Sequence, residues 1–159
     1  RRCGIPDEVI AEALASQKPL SMRGTVEMKN GVSFIIDCYN ANPSSMKNAI
    51  AYLVDMSERS KRVAVVGDML ELGGYSKRLH RELGKDLAKA GVKKVIAIGA
   101  FASDVAIAAV KAGISARRVF TAEDSEQAVL IAKKEISEGD MVLLKGSRGV
   151  HLETLFEKF

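Results

Sequence analysis

The sequence predicts an α/β fold in which a mostly parallel, doubly wound sheet carries an antiparallel hairpin strand at its N-terminal end. Three observations predict this fold: short continuous apolar runs, amphipathic stretches between these runs, and one Asn-Gly pair near the front of the chain. Apolar runs that do not alternate with polar residues are typical of strands buried on both faces. Strand-like runs that alternate with helix-like stretches indicate βα units and a parallel sheet.

The hairpin is predicted around Asn30-Gly31, which separates two β-prone segments, 25–29 and 32–37. Asn-Gly favours a two-residue turn because both of its residues must take positive φ. We expect the second arm of this hairpin to join the main sheet. A helix is expected from about Pro43, because proline is favoured in the first turn of a helix. Its inward residues would be Met46, Ile50, Leu53 and Val54.

Four apolar runs then predict strands, at residues 63–66, 95–98, 119–120 and 141–144. The helices between and after these strands follow from apolar residues at helical spacing. Leu79, Leu83 and Leu87 indicate a helix over about 76–90, and similar patterns indicate helices around 105–112, 128–136 and 152–159. Together these elements predict a Rossmann-like arrangement.

Two further expectations concern single features of this pattern. His80 adjoins Arg81 and is expected to face away from the leucine stripe, at the surface. Residues 5–15 are expected to form a short helix outside the main unit, with a boundary near Lys18-Pro19.

Composition excludes several classes of protein. The chain has 159 residues, 47% of them hydrophobic and 28% charged, which is typical of a globular domain rather than a disordered chain. A net charge of +4 is too small and dispersed to favour nucleic acid as a partner. No apolar run approaches the roughly 18 residues of a membrane span. We expect a cytoplasmic protein, since its two cysteines form no disulfide framework or metal-site pattern, and a monomer.

The richest candidate site follows the second arm of the hairpin. In doubly wound sheets, ligands bind at the carboxyl ends of the strands. Asp37 could accept two hydroxyl hydrogen bonds, Tyr39 offers a ring for stacking, and Asn40 and Asn42 offer amide groups. An alternative for Asn42 is that it only caps the next helix. The cluster as a whole favours ligand binding, whereas Cys38 is interpreted as a packing residue.

Two other loops at the same edge carry polar residues. Lys145, Ser147 and Arg148 follow the last strand and could hold a phosphate or a carboxylate. Asp68 and Glu71 follow the strand at 63–66 and could serve a metal or a substrate amine, although Glu71 could instead favour a helix N-terminus. The phosphate-binding pattern GxxxxGK[ST] is absent from the sequence.

Four motifs carry a family resemblance. They are Met22-Arg23-Gly24, DCYNANPSSM at 37–46, GDMLELG at 67–73 with His80 downstream, and LKGSRG at 144–149. In this order and spacing they resemble the Mur ligases of bacterial cell-wall synthesis. The resemblance covers about residues 20–157.

The resemblance implies a three-domain, ATP-dependent enzyme that forms amide bonds. Residues 1–18 would be the end of its central ATPase domain, and residues 19–159 its C-terminal domain. The motifs are most similar to the branch that joins D-Ala-D-Ala to UDP-MurNAc-tripeptide, with ATP and Mg²⁺. The metal ligands are expected mainly in the central domain, with none in this chain. The N-terminal and central domains would be the partners, and this chain alone is expected to be inactive because it lacks the P-loop.

The resemblance also implies roles for individual residues. Arg23 would contact the ATP γ-phosphate as a catalytic residue, and Asp37 would bind the ribose. The other nucleotide-binding residues would be Tyr39, Asn40 and Asn42, and the amino-acid substrate would be bound by Lys145, Ser147, Arg148 and Glu71. The alternatives are another Mur ligase, such as the diaminopimelate- or lysine-adding enzyme, folylpolyglutamate synthase, or a stand-alone nucleotide-binding regulatory module.

Overall fold

The computed structural model describes residues 4–16 and 22–159, which form twelve regular helices and strands joined by loops and four short 3₁₀ turns. The elements are α1 (Asp7–Ser16), β1 (Thr25–Lys29), β2 (Val32–Asp37), α2 (Pro43–Met56), β3 (Arg62–Gly67), α3 (Ser76–Lys89), β4 (Lys94–Ile98), α4 (Ala102–Lys111), β5 (Val119–Ala122), α5 (Ser125–Glu135), β6 (Met141–Lys145) and α6 (Glu153–Lys158). The predicted alternation of strands and helices is confirmed.

The six strands form one sheet in the order β1-β2-β6-β3-β4-β5. β1 pairs antiparallel with β2, and all other neighbours are parallel. Asn30 and Gly31 have φ values of 52° and 73°, which confirms the tight hairpin turn. The last strand, β6, returns to lie between β2 and β3. This reversal of strand order is the place where doubly wound sheets form a crevice for ligands.

Helices cover both faces of the sheet, as a doubly wound fold requires. α2, α3 and α4 pack on one face, and α5 and α6 pack on the other. Neighbouring residues of β3 show the alternation: Ala64 and Val66 belong to the first core, and Val63 and Val65 to the second. The continuous apolar runs of the sequence are therefore strands buried on both sides.

The packing of α3 against α4 overturns the expectation for His80. A Cβ atom on Gly84 would lie 2.3 Å from the Val105 carbonyl oxygen, so the absence of a side chain lets the two helices approach closely. The buried face of α3 consists of His80, Leu83, Gly84 and Leu87. His80 is 1% exposed. Its predicted surface position is wrong because the inward face is centred on Gly84 rather than on the leucines alone.

The N-terminal region contains α1, which confirms the short helix expected over residues 5–15. The predicted domain boundary at Lys18-Pro19 lies outside the described residues. The assignment of residues 1–18 to a neighbouring domain stays a prediction. Within 4–16 and 22–159, no helix combines the length and the apolar character that crossing a membrane requires.

Candidate functional site

An open cavity of about 450 Å³ lies at the carboxyl edge of the sheet, beside the end of β2. It is lined by Arg23, Gly24, Asp37, Tyr39, Asn40, Asn42, Ser45, Asn48, Ala49, Tyr52 and Lys145. Six of these residues were predicted as site residues from the sequence. The structure therefore brings Arg23, the polar loop after β2 and one residue of β6 to a single place.

Asp37 and Lys145 form an ion pair at the floor of this cavity. They are register partners on the adjacent parallel strands β2 and β6, so their side chains lie on the same face of the sheet. The Lys145 Nζ lies 2.6 Å from Asp37 Oδ2. It also donates to the Asn40 carbonyl oxygen at 3.1 Å and approaches the Asp37 carbonyl oxygen at 3.4 Å. Lys145 is 1% exposed, whereas 23% of the Asp37 side chain is exposed.

Tyr39 lies near two guanidinium groups. The Arg23 guanidinium carbon is 4.4 Å from the centroid of the Tyr39 ring, and that of Arg148 is 5.9 Å away. Both distances suit cation–π contacts. Tyr39 is 45% exposed, so a face or an edge of its ring is accessible to a ligand. This group offers positive charge beside an aromatic surface.

Asn40 and Asn42 both make local bonds to the backbone. Asn40 Oδ1 accepts from the Ala41 N–H at 2.8 Å. Asn42 is the N-cap of α2: its Oδ1 accepts from the Ser45 N–H at 2.8 Å, and Ser45 Oγ accepts from the Asn42 N–H at 3.0 Å. This reciprocal pair is a capping box. Asn42 thus has the capping role that the sequence left open, and it also lines the cavity.

Sequence reasoning missed the wall that α2 contributes to the cavity. Ser45, Asn48, Ala49 and Tyr52 lie at i, i+3, i+4 and i+7, which places them on one side of the helix. The signal was present in the sequence as a second, mixed stripe beside the apolar one. It was not distinguishable from a solvated helix face until the position of β1 and β2 was known.

The loop after β6 is bonded to the loop after β3. A Cβ on Gly146 would lie 3.0 Å from the Gly67 Cα, so the two backbones are in close contact here. Ser147 is 4% exposed, its N–H donates to the Asp68 carbonyl oxygen, and its Oγ accepts from the Leu70 N–H, both at 3.0 Å. The Ser147 hydroxyl oxygen therefore has a partner within the fold, and this residue does not line the cavity described above.

Asp68 is also bonded internally. Its carboxylate accepts from the Ala100 and Phe101 N–H groups, at 2.8 and 3.1 Å, just before α4 begins. His80 connects the same region: its Nε2 accepts from the Met69 N–H at 3.0 Å, so its Nδ1 carries the hydrogen that is donated to the Ser76 carbonyl. These two side chains join the loop after β3 to the start of α4 and to α3.

Two other predicted residues lie away from the cavity that contains Asp37. Arg148 borders a separate cavity of about 530 Å³ with Met22, Ile36 and Phe156, on the other face of the sheet. Glu71 is exposed and has a φ of 65° in the loop after β3. The structure thus divides the predicted amino-acid-binding set: Lys145 lies in the first cavity, and Ser147, Arg148 and Glu71 do not.

Cys38 is a packing residue, as expected. It is 1% exposed and belongs to the core beneath α5 and α6. Burial, assisted by the negative charge of Glu153, raises the pKa of its thiol from the usual 9.0 to about 11. A protonated thiol is a poor nucleophile and a poor metal ligand. Among the residues that the structure describes, no group of three or more His, Cys, Asp or Glu side chains is placed to hold a metal ion.

The cavity combines an aromatic ring, one arginine, a partly exposed carboxylate and several amide groups. This set of groups suits a ligand that carries a ring, hydroxyl groups and negative charge, such as a nucleotide. Fold and cavity together define the class: a doubly wound α/β domain with a ligand site at the switch in strand order.

Comparison with known proteins identifies the family. The sequence model of the family described as "Mur ligase, glutamate ligase domain" matches residues 22–148. The chain therefore belongs to the Mur ligase family, and the resemblance seen in the four motifs is confirmed.

Similar curated proteins carry one common name. The chain is 33% identical over 153 residues to the UDP-N-acetylmuramoyl-tripeptide–D-alanyl-D-alanine ligase of Bacillus subtilis, and 32% identical over 152 residues to that of Rickettsia prowazekii. In both comparisons 96% of this chain is covered, and it spans about a third of the length of the relative, 33% in each case.

Solved structures agree with the fold. A crystal structure of MurF from Acinetobacter baumannii superposes with a TM-score of 0.83 at 31% identity, covering 98% of this chain and 34% of that one. The MurF ligase of Thermotoga maritima in complex with ADP gives a TM-score of 0.70 at 32% identity, covering 92% of this chain and 32% of that one. The α/β fold predicted from the sequence is thus the fold of this family.

Proposed function

We propose that this chain is the C-terminal domain of an ATP-dependent ligase that adds D-Ala-D-Ala to UDP-MurNAc-tripeptide. Such a ligase transfers the γ-phosphoryl group of ATP to the tripeptide carboxylate and releases ADP. The dipeptide amine then attacks the acyl carbon, loses a proton and displaces phosphate. The observation that carries the proposal is the clustering of Arg23, Asp37, Tyr39, Asn40 and Asn42 around one cavity.

The geometry supports separate roles for these residues toward ATP. Arg23 is held against the exposed ring of Tyr39, where its charge can meet the γ-phosphate and stabilise negative charge during phosphoryl transfer. Asp37 lines the cavity and offers carboxylate oxygen to ribose hydroxyls. Tyr39 would stack on the nucleotide, and Asn40 and Asn42 would shape its loop. The ADP-bound relative supports nucleotide binding within this family.

The incoming dipeptide would be bound by Arg148 and Glu71, on the loops after β6 and β3. Arg148 can pair with its carboxylate, because a guanidinium group binds carboxylates in a bidentate manner. Ser147 would act mainly by holding the loop, since its hydroxyl already accepts from Leu70. The Lys145 ammonium group already donates to Asp37 and to the Asn40 carbonyl, so we do not assign this side chain to the dipeptide.

The remaining parts of the reaction are assigned to the rest of the ligase. The described residues do not fit a Mg²⁺ site, and the sequence has no P-loop. We therefore place the metal ligands and the main phosphate contacts in the central domain. Catalysis would need this domain to close over ATP and exclude water. The isolated chain is expected to be inactive, and the ligase is expected to act as a cytoplasmic monomer.

The test is ADP-forming ligation of UDP-MurNAc-tripeptide with D-Ala-D-Ala by the full-length ligase that contains this domain. Arg23→Ala should lower kcat/KM by about 100-fold, because a charge that stabilises the transition state is lost. Arg117→Ala is the matched control, since Arg117 is an exposed arginine in the turn before β5, at the opposite edge of the sheet.

Three outcomes would contradict the proposal. Unchanged kcat/KM in Arg23→Ala would remove the catalytic role of this residue. Turnover by the isolated chain would overturn the division of labour between domains. A full-length ligase that ignores D-Ala-D-Ala but accepts a single amino acid would assign the domain to another branch of the family.

A further inference from the structure

We propose that Lys145 is a positioning residue of the nucleotide pocket, which acts through Asp37 and Asn40, and that it does not bind the incoming dipeptide. The inference rests on the proposed function, because it assumes that the cavity beside β2 holds ATP. It separates Lys145 from Ser147 and Arg148, although all three lie within four residues of the sequence.

The first argument is that the Lys145 ammonium group has no donor left for a ligand. An ammonium group has three N–H donors. The structure gives it three acceptors: Asp37 Oδ2 at 2.6 Å, the Asn40 carbonyl at 3.1 Å and the Asp37 carbonyl at 3.4 Å. The side chain is also 1% exposed. A dipeptide carboxylate would have to displace one of these acceptors to bind here.

The second argument concerns Asp37. Lys145 occupies one carboxylate oxygen, Oδ2, and the other, Oδ1, has no hydrogen-bond partner within the described ranges. The ion pair therefore fixes the carboxylate while leaving one oxygen for a hydroxyl group in the cavity. Without Lys145, the Asp37 carboxylate would lose the contact that fixes its orientation and would turn toward water, where it would be a poorer acceptor for ribose hydroxyls.

The third argument concerns the loop itself. The bond from Lys145 to the Asn40 carbonyl ties the middle of the loop to β6. Tyr39 comes directly before that carbonyl, and the Asn42 cap of α2 comes shortly after it. The buried ammonium group of Lys145 thus fixes the Asp37 carboxylate and also the loop backbone between Tyr39 and Asn42.

The test is the steady-state kinetics of Lys145→Met in the full-length ligase. We expect KM for ATP to rise by about tenfold or more, because Asp37 loses its orientation, while KM for D-Ala-D-Ala stays within about twofold. A residue that binds the dipeptide would give the reverse pattern. That reverse pattern, or an unchanged KM for ATP, would overturn the proposal. Lys134→Met is the matched control, because Lys134 is an exposed lysine of α5.

A double mutant separates this inference from the proposed function. If Lys145 acts through Asp37, Lys145→Met should add less than about threefold to KM for ATP in an Asp37→Asn ligase. Additive effects would contradict the positioning role. If Asp37→Asn alone leaves KM for ATP unchanged, the nucleotide site itself is wrong, and the inference fails with it. If Asp37→Asn raises KM for ATP but Lys145→Met does not, the role inferred for Lys145 is wrong and the proposed nucleotide site still stands.

A measurement on the unmutated ligase covers the case in which Lys145→Met does not fold. The ammonium protons of Lys145 should exchange slowly enough to give a ¹⁵N-correlated NMR signal, since the group is buried and bonded. Addition of ADP should shift that signal, and addition of D-Ala-D-Ala alone should not. A shift caused by the dipeptide alone, or none caused by ADP, would overturn the proposal.

Discussion

The loop after β2 and the paired loops after β3 and β6 lie at the same edge of the sheet but use their polar residues differently. After β2, Tyr39 is 45% exposed and Asp37 is partly exposed, and both line the cavity. After β3 and β6, Asp68 and Ser147 are 7% and 4% exposed, and both accept hydrogen bonds from backbone N–H groups of other loops.

Polar residues in the loops at this carboxyl edge can therefore either stabilise the fold or remain available to a ligand. A buried polar side chain must be hydrogen-bonded, so it stabilises the fold and is not free for a ligand. An exposed one keeps its hydrogen-bonding capacity for a ligand. Substitutions in the internally bonded loops should therefore affect stability first, and substitutions in the cavity loop should affect nucleotide binding first.

The largest expected effect is on stability and comes from Asp68→Ala. This change removes the carboxylate that accepts from the Ala100 and Phe101 N–H groups, which should lower the free energy of unfolding by about 2–4 kcal/mol. Urea denaturation of this chain would measure it. Asp55→Ala is the control, because Asp55 is an exposed residue of α2, and it should stay within about 0.5 kcal/mol. Equal stability of the two variants would show that the loop after β3 is no more structural than an exposed helix position.

A smaller effect, on binding instead of stability, is expected from Tyr39→Ala. Loss of the ring should raise KM for ATP in the full-length ligase by about tenfold, with the free energy of unfolding changed by less than about 0.5 kcal/mol. Tyr75→Ala is a close match, since Tyr75 is 65% exposed and also has an arginine near its ring. Tyr75→Ala should change neither KM for ATP nor the free energy of unfolding. If Tyr39→Ala were strongly destabilising, the loop after β2 would also be structural.

Cys38 is a buried residue within the loop that lines the cavity, and its thiol should react slowly with modifying reagents. With a pKa of about 11, roughly 0.1% of the thiol is ionised at pH 8. Modification by a disulfide reagent should therefore be about 100-fold slower in the folded chain than in urea. A Cys3→Ser background leaves Cys38 as the reacting thiol. Rapid modification of the folded chain would show that Cys38 is accessible.

The raised pKa of the Cys38 thiol also predicts how the stability of the chain depends on pH. The thiol of Cys38 keeps its proton to higher pH in the folded state than in the unfolded state. Its contribution to the free energy of unfolding is therefore fully present below about pH 9 and is lost as pH rises toward 11. Relative to Cys38→Ala, the unmodified chain should lose up to about 2 kcal/mol over this range. Parallel pH profiles of the two proteins would contradict the raised pKa.

Much of the fold was predictable because it depends on local patterns. Continuous apolar runs identified β3, β4 and β6, and Asn30-Gly31 identified the hairpin, because few residue pairs take positive φ at both turn positions. His80 was not predictable in this way. Its burial depends on Gly84, which lets α4 approach α3, and on Phe101, whose ring stacks on His80 at 4.6 Å. Both effects depend on how α4 packs against α3, which the pattern of α3 alone does not show.

The candidate site was predictable where one loop supplies it. Asp37, Tyr39, Asn40 and Asn42 lie within six residues, so a single motif located them together. Arg23 was placed by resemblance, and the structure brings it to the same cavity. The α2 wall at Asn48 and Tyr52 was missed, because a mixed polar stripe on a helix has the same pattern whether it faces a ligand or water.

The α/β class, the hairpin and the loop that lines the cavity follow from the sequence, because each depends on residues that are close along the chain. The use of Lys145 depends on long-range packing. Its partner Asp37 lies 108 residues away, and the two meet because β6 returns to lie beside β2 in register. Strand order depends on how the helices and strands pack together, which no single segment of sequence encodes.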